Sequence, residues 1–487
     1  MQRSLSRREL LKYIGIGSAA TVLAACQPKV VEVERVVEKE VERVVEQTVV
    51  VKEAVEVEKE VTRVVEVDRQ PEAPVAPADR EPVDIVVHTN LGYQWWGWIE
   101  KAWEENVDGF RDKYPHINMV GEPVAGWTAD YFPKIFSLVA SNTLGDIVWF
   151  PPRMRNHISW GVLYNIVVDH MPFVEAENYD LGQFFPGVVA SSTFQGRLYW
   201  MPFRNEGTQP VIGYHIPLAE ELGMPEPHDD FTFDELIEWA KIGTQGDVWG
   251  YAMRGRGFNA WAAELKQFGV EVIDDEGVTA FPGNSVENMK KAMRYSWDLS
   301  YTHEVAPKPE HGSTSELWFA QRVVAISMNV GNMTAWPIQA NVDQSDVGFF
   351  YPPVENKGDR RRSNLNEHVH GVTRSSKHPE DAWTWLKWHS SKEFNVGGIL
   401  SGMVGAVGRP DVFADPRVQE AMPHYAKLAA IMPDIEPDWF ALNYRGAELE
   451  TESNVVMEQV MLGDLTIDQA APLLAEECQL ILDRPPA

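Results

Sequence analysis

The chain is poor in cysteine, and that scarcity is the first constraint. Only Cys26 and Cys478 occur in 487 residues, far apart and with no C-x-x-C pair. That excludes a disulfide framework and a cysteine metal knuckle. Positive charge is also short. Lys and Arg number 43 against 72 Asp and Glu, a net charge of −29, which argues against a nucleic-acid surface or general adhesion to anionic lipid. No G-x-S-x-G, H-E-x-x-H or P-loop appears after residue 26. Core material is not scarce, with 44% hydrophobic residues and 18 Trp. At this length two lobes or domains are expected around that material.

The first 26 residues read as a processing signal. Arg7 and Arg8 stand in SRRELLK, which resembles the twin-arginine export motif, and an apolar run from Tyr13 to Val22 follows. Leu23-Ala24-Ala25-Cys26 then resembles a lipobox, in which Cys26 is acylated and becomes the new N-terminus. The run is too short to span a bilayer as a mature helix and carries a basic flank. Removing 1–25 takes away four basic residues and one acidic, leaving a more acidic chain. Gly15 and Gly17 faintly echo a dinucleotide fingerprint, but no strand precedes them. Residues 26–82 form a Val/Glu-rich stalk and a linker. VEKEVERVVE at 37–46 returns as VEKEVTRVVE at 57–66, and the segment from 30 to 70 holds no aromatic residue. Val33, Val37, Val41, Val44, Val51 and Val55 keep helical or heptad spacing, yet valine is a weak helix former. The stalk is therefore an oligomerising helical rod or a loose charged tether. Pro71, Pro74, Pro77 and Pro82 mark an extended linker after it.

From Val83 the texture is that of a globular α/β chain. Val83–His88, Asn118–Val120 and Asp146–Phe150 read as strands, with helices running to Tyr114 and from Tyr131 to Ala140. Strands alternating with helices imply a largely parallel sheet, whose ligands bind beyond the strands' carboxyl ends.

Several segments carry a resemblance. FRDKYPHIN at 110–118, LGDIVW at 144–149, Phe185-Pro186-Gly187, GRLYWMP at 196–202, Gly213-Tyr214-His215, Leu222-Gly223-Met224, FTFDEL at 231–236, Ile273–Gly277 and HPEDAW at 378–383 follow one another in order. The sequence from 83 to 480 thereby resembles the family 1 extracellular solute-binding proteins. The resemblance implies a two-lobe periplasmic-binding-protein-like fold (type II), its lobes joined by crossing strands. It assigns 83–204 and 370–405 to lobe 1, and 205–369 and 406–480 to lobe 2. It further implies capture of a solute, most often a sugar or oligosaccharide, by hinge closure, and delivery to the permease and ATPase subunits of an ABC importer. The location implied is the outer face of the cell membrane, held by lipid on Cys26. No cofactor, metal or nucleic acid is called for. His215, where the family usually has Asn, and Phe233, where it often has Trp, are departures that bear on specificity if they reach the site.

A sugar site combines stacking aromatics with polar and charged side chains. Trp95 and Trp96 follow the first strand; Phe150 and Arg153 end the third; Arg204 and Glu206 stand at the first crossing. Asn332 and Trp336 fall in a loop resembling the family's G-x-W segment, and Trp439 and Tyr444 in PDWFALNY. These are the candidate ligand-binding residues. Each aromatic has a core-packing alternative, weakest for the adjacent pair Trp95-Trp96, which cannot both face one core.

Glu367-His368-Val369-His370 places two imidazoles at i and i+2, a partial metal set with no third ligand assured. A secreted carbohydrate hydrolase would need two positioned carboxylates, and no motif nominates them. An adhesive or sensory lipoprotein reusing the fold is the remaining class.

Overall fold

The computed structural model describes residues 80–90, 108–124, 131–150, 161–162, 164–205, 211–253, 258, 262–328, 342–363, 365, 367–401, 408–437, 443 and 445–484. Residues 72–487 form one compact unit. The export signal, Cys26, the stalk and the proline linker up to residue 79 lie outside the described residues.

In chain order the strands are β1 (Val83–Asn90), β2 (Ile117–Val124), β3 (Ile147–Phe150), β4 (Thr193–Phe194), β5 (Arg197–Leu198) and β6 (Met201–Asn205). Then come β7 (Val211–His215), β8 (Trp249–Ala252), β9 (Val323–Met328), β10 (Val347–Phe350) and β11 (Glu367–Val372). The helices that matter below are α1 (Tyr131–Ala140), α2 (Pro186–Ser191), α3 (Phe233–Gly243), α4 (Ala262–Gln267) and α5 (Ser285–Tyr301). They are followed by α6 (Thr314–Phe319), α7 (Pro379–His389), α8 (His424–Ile431), α9 (Gly446–Leu462) and α10 (Ile467–Leu482).

Two main sheets result. The first has the order β2-β1-β3-β11-β6, the second β10-β7-β9-β8. In the first, β1 is parallel to β2 and β3, while β11 is antiparallel to β3 and β6, with a bulge between His368 and Val369. In the second, β8 is parallel to β9, and β7 is antiparallel to both β9 and β10. All six residues of β9 are buried, as a strand covered on both faces requires.

Each sheet is covered by helices. Tyr131, Phe132 and Ile135 of α1 lie on one face of the first sheet with Val148, Phe150 and Val369. The opposite face places Ile85, Val87 and Ile147 in one cluster with Trp385 and Leu386 of α7. In the second sheet Ile212, Tyr214 and Phe350 meet residues of α3, α5, α9 and α10. Thr232 caps α3 in a reciprocal box with Glu235, which satisfies two otherwise orphaned backbone donors. The helix then lies so close to β8 that a Cβ on Gly250 would stand 1.9 Å from the Ala240 carbonyl oxygen.

The other face of the second sheet, with Val211, Ile326 and Met328, shares a cluster with first-sheet residues through Val412, Phe413 and Tyr425. Sequence reading assigns 406–480 to lobe 2, but residues 410–435 touch both sides. Phe413 stands edge-on to Phe185 at 5.6 Å, and His424 lies 4.8 Å from Phe349. β11 joins the first sheet from Glu367, three residues before the boundary read at 370.

Candidate functional site: the mouth between two sheets

Strand direction locates the site. Because β11 is antiparallel to both neighbours, β6 runs with β1, β2 and β3. Asn90, Val124, Phe150 and Asn205 thus end on one edge of the first sheet, where β11 begins. By the same reasoning Ala252, Met328 and Phe350 end on one edge of the second, where β7 begins. The chain passes from Asn205 to Val211 and returns from Phe350 to Glu367, both times between these two edges. The first passage, six Cα steps, spans at most about 22 Å. Two carboxyl-end edges therefore border a common space, the position at which open α/β sheets bind ligands.

Most candidate residues follow those strand ends in the sequence. Trp95, Trp96, Arg153, Glu206, Asn332, Trp336, Trp439 and Tyr444 lie outside the described residues, as do Arg7, Arg8 and Cys26. Arg204 is in β6, in register with His368. Phe150 is fully buried, its ring 5.1 Å from Phe132 and 4.4 Å from Trp200, so it takes the core-packing role. The two family departures are placed away from the mouth. His215 ends β7, whose direction carries it to the far edge, and its ring stacks on Trp318 at 4.1 Å. Phe233 stacks on Phe268 at 4.3 Å within the second-sheet core.

Two buried polar groups at the mouth edges escaped the sequence reading of the site. His368, near the start of β11, is stacked on Trp149 at 5.6 Å and accepts the indole N–H at 3.3 Å through Nδ1. Tyr131 holds that tryptophan from behind by donating to its carbonyl oxygen at 2.7 Å. In the second sheet, Tyr251 of β8 donates to Glu264 of α4 at 3.4 Å. Burial pushes the Glu264 carboxyl up to about 7, so below that pH it is a neutral acid. Only the H-x-H spacing hinted at the first group. The second has no sequence signal, because Tyr251 and Glu264 meet through the tertiary fold.

The sequence model of the bacterial extracellular solute-binding protein family matches residues 96–395. The chain belongs to that family. The fold agrees with solved structures of low identity. Maltose-bound T. maritima MalE3 is 20% identical with a TM-score of 0.65, covering 82% of this chain and 99% of the other. The sugar-binding protein MalE from Xanthomonas citri is 16% identical with a TM-score of 0.68, covering 82% and 97%. An ABC substrate-binding protein from Listeria monocytogenes in complex with cycloalternan is 17% identical with a TM-score of 0.66, covering 82% and 99%. The fold is thus the two-lobe α/β architecture of these proteins, one lobe built on each main sheet.

In this solute-binding protein the H-x-H segment is part of a packed strand. His370 Nδ1 lies 3.3 Å from His389 Nδ1 on α7, close enough for one ring to donate to the other. Burial holds His370 well below the usual imidazole range, helped by the neighbouring His389 and His368, and burial alone takes His389 to about 3. Two neutral rings can share such a contact; two cations cannot. Among the described residues no three His, Cys, Asp or Glu side chains are grouped to hold a metal ion. Nor is any described helix long and apolar enough to cross a membrane.

Proposed function

We propose that the chain is the extracytoplasmic receptor of an ABC importer, taking a sugar or oligosaccharide into the mouth between its lobes and presenting it to the permease. One observation carries this reading: the first two of the chain's three crossings leave and enter at the mouth edges. A rotation about those crossings changes the width of the mouth while leaving each sheet and its helices intact. Binding and shape change are the work, and no bond is made or broken. Trp95, Trp96 and Trp336 would supply flat apolar faces for sugar rings, with Arg153, Arg204, Glu206 and Asn332 on the hydroxyl edges and Trp439 and Tyr444 entering from the last segment. Phe150 supports this wall from within the core. The lobes would divide near 204, 369 and 405. Export through Arg7-Arg8 and acylation of Cys26 would hold the receptor at the outer face of the membrane, with the stalk as spacer or oligomerising rod. The family match and the likeness to proteins solved with maltose and cycloalternan support the sugar reading.

The test is thermal unfolding of residues 72–487 against sugars of increasing length, with polyols, polyamines and amino acids as controls. A ligand that binds only the folded form adds about 2.7 kcal/mol at a hundredfold excess over its Kd. A rise with one sugar class and not with controls is the expected result. A rise only with a control class would discard the sugar, and none at all would discard the receptor.

A further inference from the structure

A point near the back of the crossings touches both lobes at once. A Cβ built on Gly187 of α2, in the first lobe, would sit 2.2 Å from the Ile435 carbonyl oxygen, so the chain at 435 is seated against that helix. The next residue turns to the other side. Glu436 N–H donates to Ser363 O at 2.9 Å and Leu365 N–H donates to Glu436 O at 2.6 Å, pairing it with the return crossing just before β11. Its carboxylate accepts two bonds from Arg362, from Nε at 3.0 Å and Nη2 at 2.9 Å, and one from Lys266 Nζ at 2.8 Å. Lys266 belongs to α4 of the second lobe, and its side chain is 2% exposed.

Arg362 extends the contact. Its Nη2 also donates to Glu271 at 2.6 Å, its Nη1 to Lys266 O at 3.2 Å, and its backbone N–H to Gln267 Oε1 at 3.0 Å. The two preceding arginines take other acids, Arg360 with Asp434 at 2.9 Å and Arg361 with Asp230 at 3.6 Å. Burial opposes ionisation of Glu436, but the bonds from Arg362 and Lys266 outweigh it and hold the carboxyl below its usual range. Lysine 266 is well buried and the Arg362 fork is geometrically specific, so this is a defined contact rather than a loose surface pair.

We propose that Glu436 and Arg362 are positioning residues for solute capture, setting the separation of the two mouth edges without touching the ligand. Glu436 links the α2 seat, the return crossing and α4; Arg362 fixes the crossing to the second lobe. This rests on the reading that capture closes the mouth, because only then does edge separation enter the affinity.

The test compares the full wild-type chain with Glu436→Gln, Arg362→Met, Arg362→Lys and the double variant Glu436→Gln/Arg362→Met. Small-angle scattering of the sugar-free proteins reads the lobe separation. Titration with maltose and maltotriose reads affinity, and thermal melting reads stability. The expected result is a changed sugar-free distance distribution with a matching change in Kd of about fivefold or more, the lower end of ordinary coupling between sites. The double variant should go no further than the larger single effect, and Arg362→Lys should fall between wild type and Arg362→Met. Unchanged scattering and Kd with only a lower melting point would overturn the proposal, reducing the cluster to structural ion pairs. If wild type binds neither sugar, the sugar reading fails, and the scattering comparison still decides whether the cluster sets lobe separation. Should Glu436→Gln fail to fold, Arg362→Lys carries the same comparison, since it keeps the charge and loses the fork.

Discussion

The two lobes bury different balances of titratable groups, imidazoles in the first and a raised carboxyl in the second. The first lobe buries imidazoles in its core: His88, His170, His368, His370 and His389 are each no more than 2% exposed. Burial takes His170 and His389 to about 3. The second lobe buries one such imidazole, His215, and adds a buried carboxyl, Glu264, raised to about 7. The difference teaches that one chain can carry two pH responses of opposite sign. A histidine whose folded pKa lies below its unfolded value leaves more proton-binding capacity in the unfolded chain. Its stabilising contribution is full above about 6.5 and is lost as pH falls toward about 3. Glu264 behaves inversely: its contribution is full below about 4.5 and lost as pH rises to about 7.

The largest expected effect comes from acidification. Lowering the pH from 7 to about 5 should cost about 2 kcal/mol for each of His170 and His389, enough in sum to threaten the first lobe. Hydrogen exchange followed by mass spectrometry should show β1, β3 and β11 losing protection before α9 and α10. Simultaneous loss in both lobes would show that the apolar cluster through 410–435 makes them one cooperative unit. Carboxylates held low by ion pairs, such as Asp415 beside Arg417, respond only below this window.

A substitution can break the comparison from the other side. Gly250→Ala forces a methyl group onto the Ala240 carbonyl, so helix and strand must part, at a cost of about 3 kcal/mol. The second lobe should then melt first at neutral pH, with its acid response unchanged; denaturant titration at two pH values reads both. The smallest effect should come from Glu264→Gln, which removes the opposing titration. Between about pH 5 and 8 the variant should gain about 2.5 kcal/mol relative to wild type. A variant whose pH profile parallels wild type would show that Glu264 does not titrate in that range.

Much of the fold was legible. The alternation of apolar runs predicts β1, β2, β3 and α1, and α1 spans the expected Tyr131–Ala140. The ordered motifs predict two lobes joined by crossings, which the sheets and their connections bear out. Individual side chains were less legible, for a definite reason. A strand's sequence gives its two faces but not the end that points to the mouth. His215 is therefore open to a specificity role until β7 proves to run away from it. Phe150 illustrates the same limit: an aromatic at a strand end is equally at home in a core or beside a ligand. The contact of 435–436 with both lobes joins elements some 70 to 250 residues apart, and local sequence carries no trace of it.

The place of β11 also has a consequence in time. It lies between β3 and β6, inside the first sheet, yet leaves the ribosome some 160 residues after β6. Until then β3 and β6 have an unfilled gap between them, exposing open strand edges of the kind that invite mispairing. The first lobe thus cannot finish until the strands of the second have been made, and long-range pairing of this sort is slow. An export route that carries completed proteins, as proposed from Arg7 and Arg8, would suit such a chain, since closure of the gap would then precede departure from the cytoplasm.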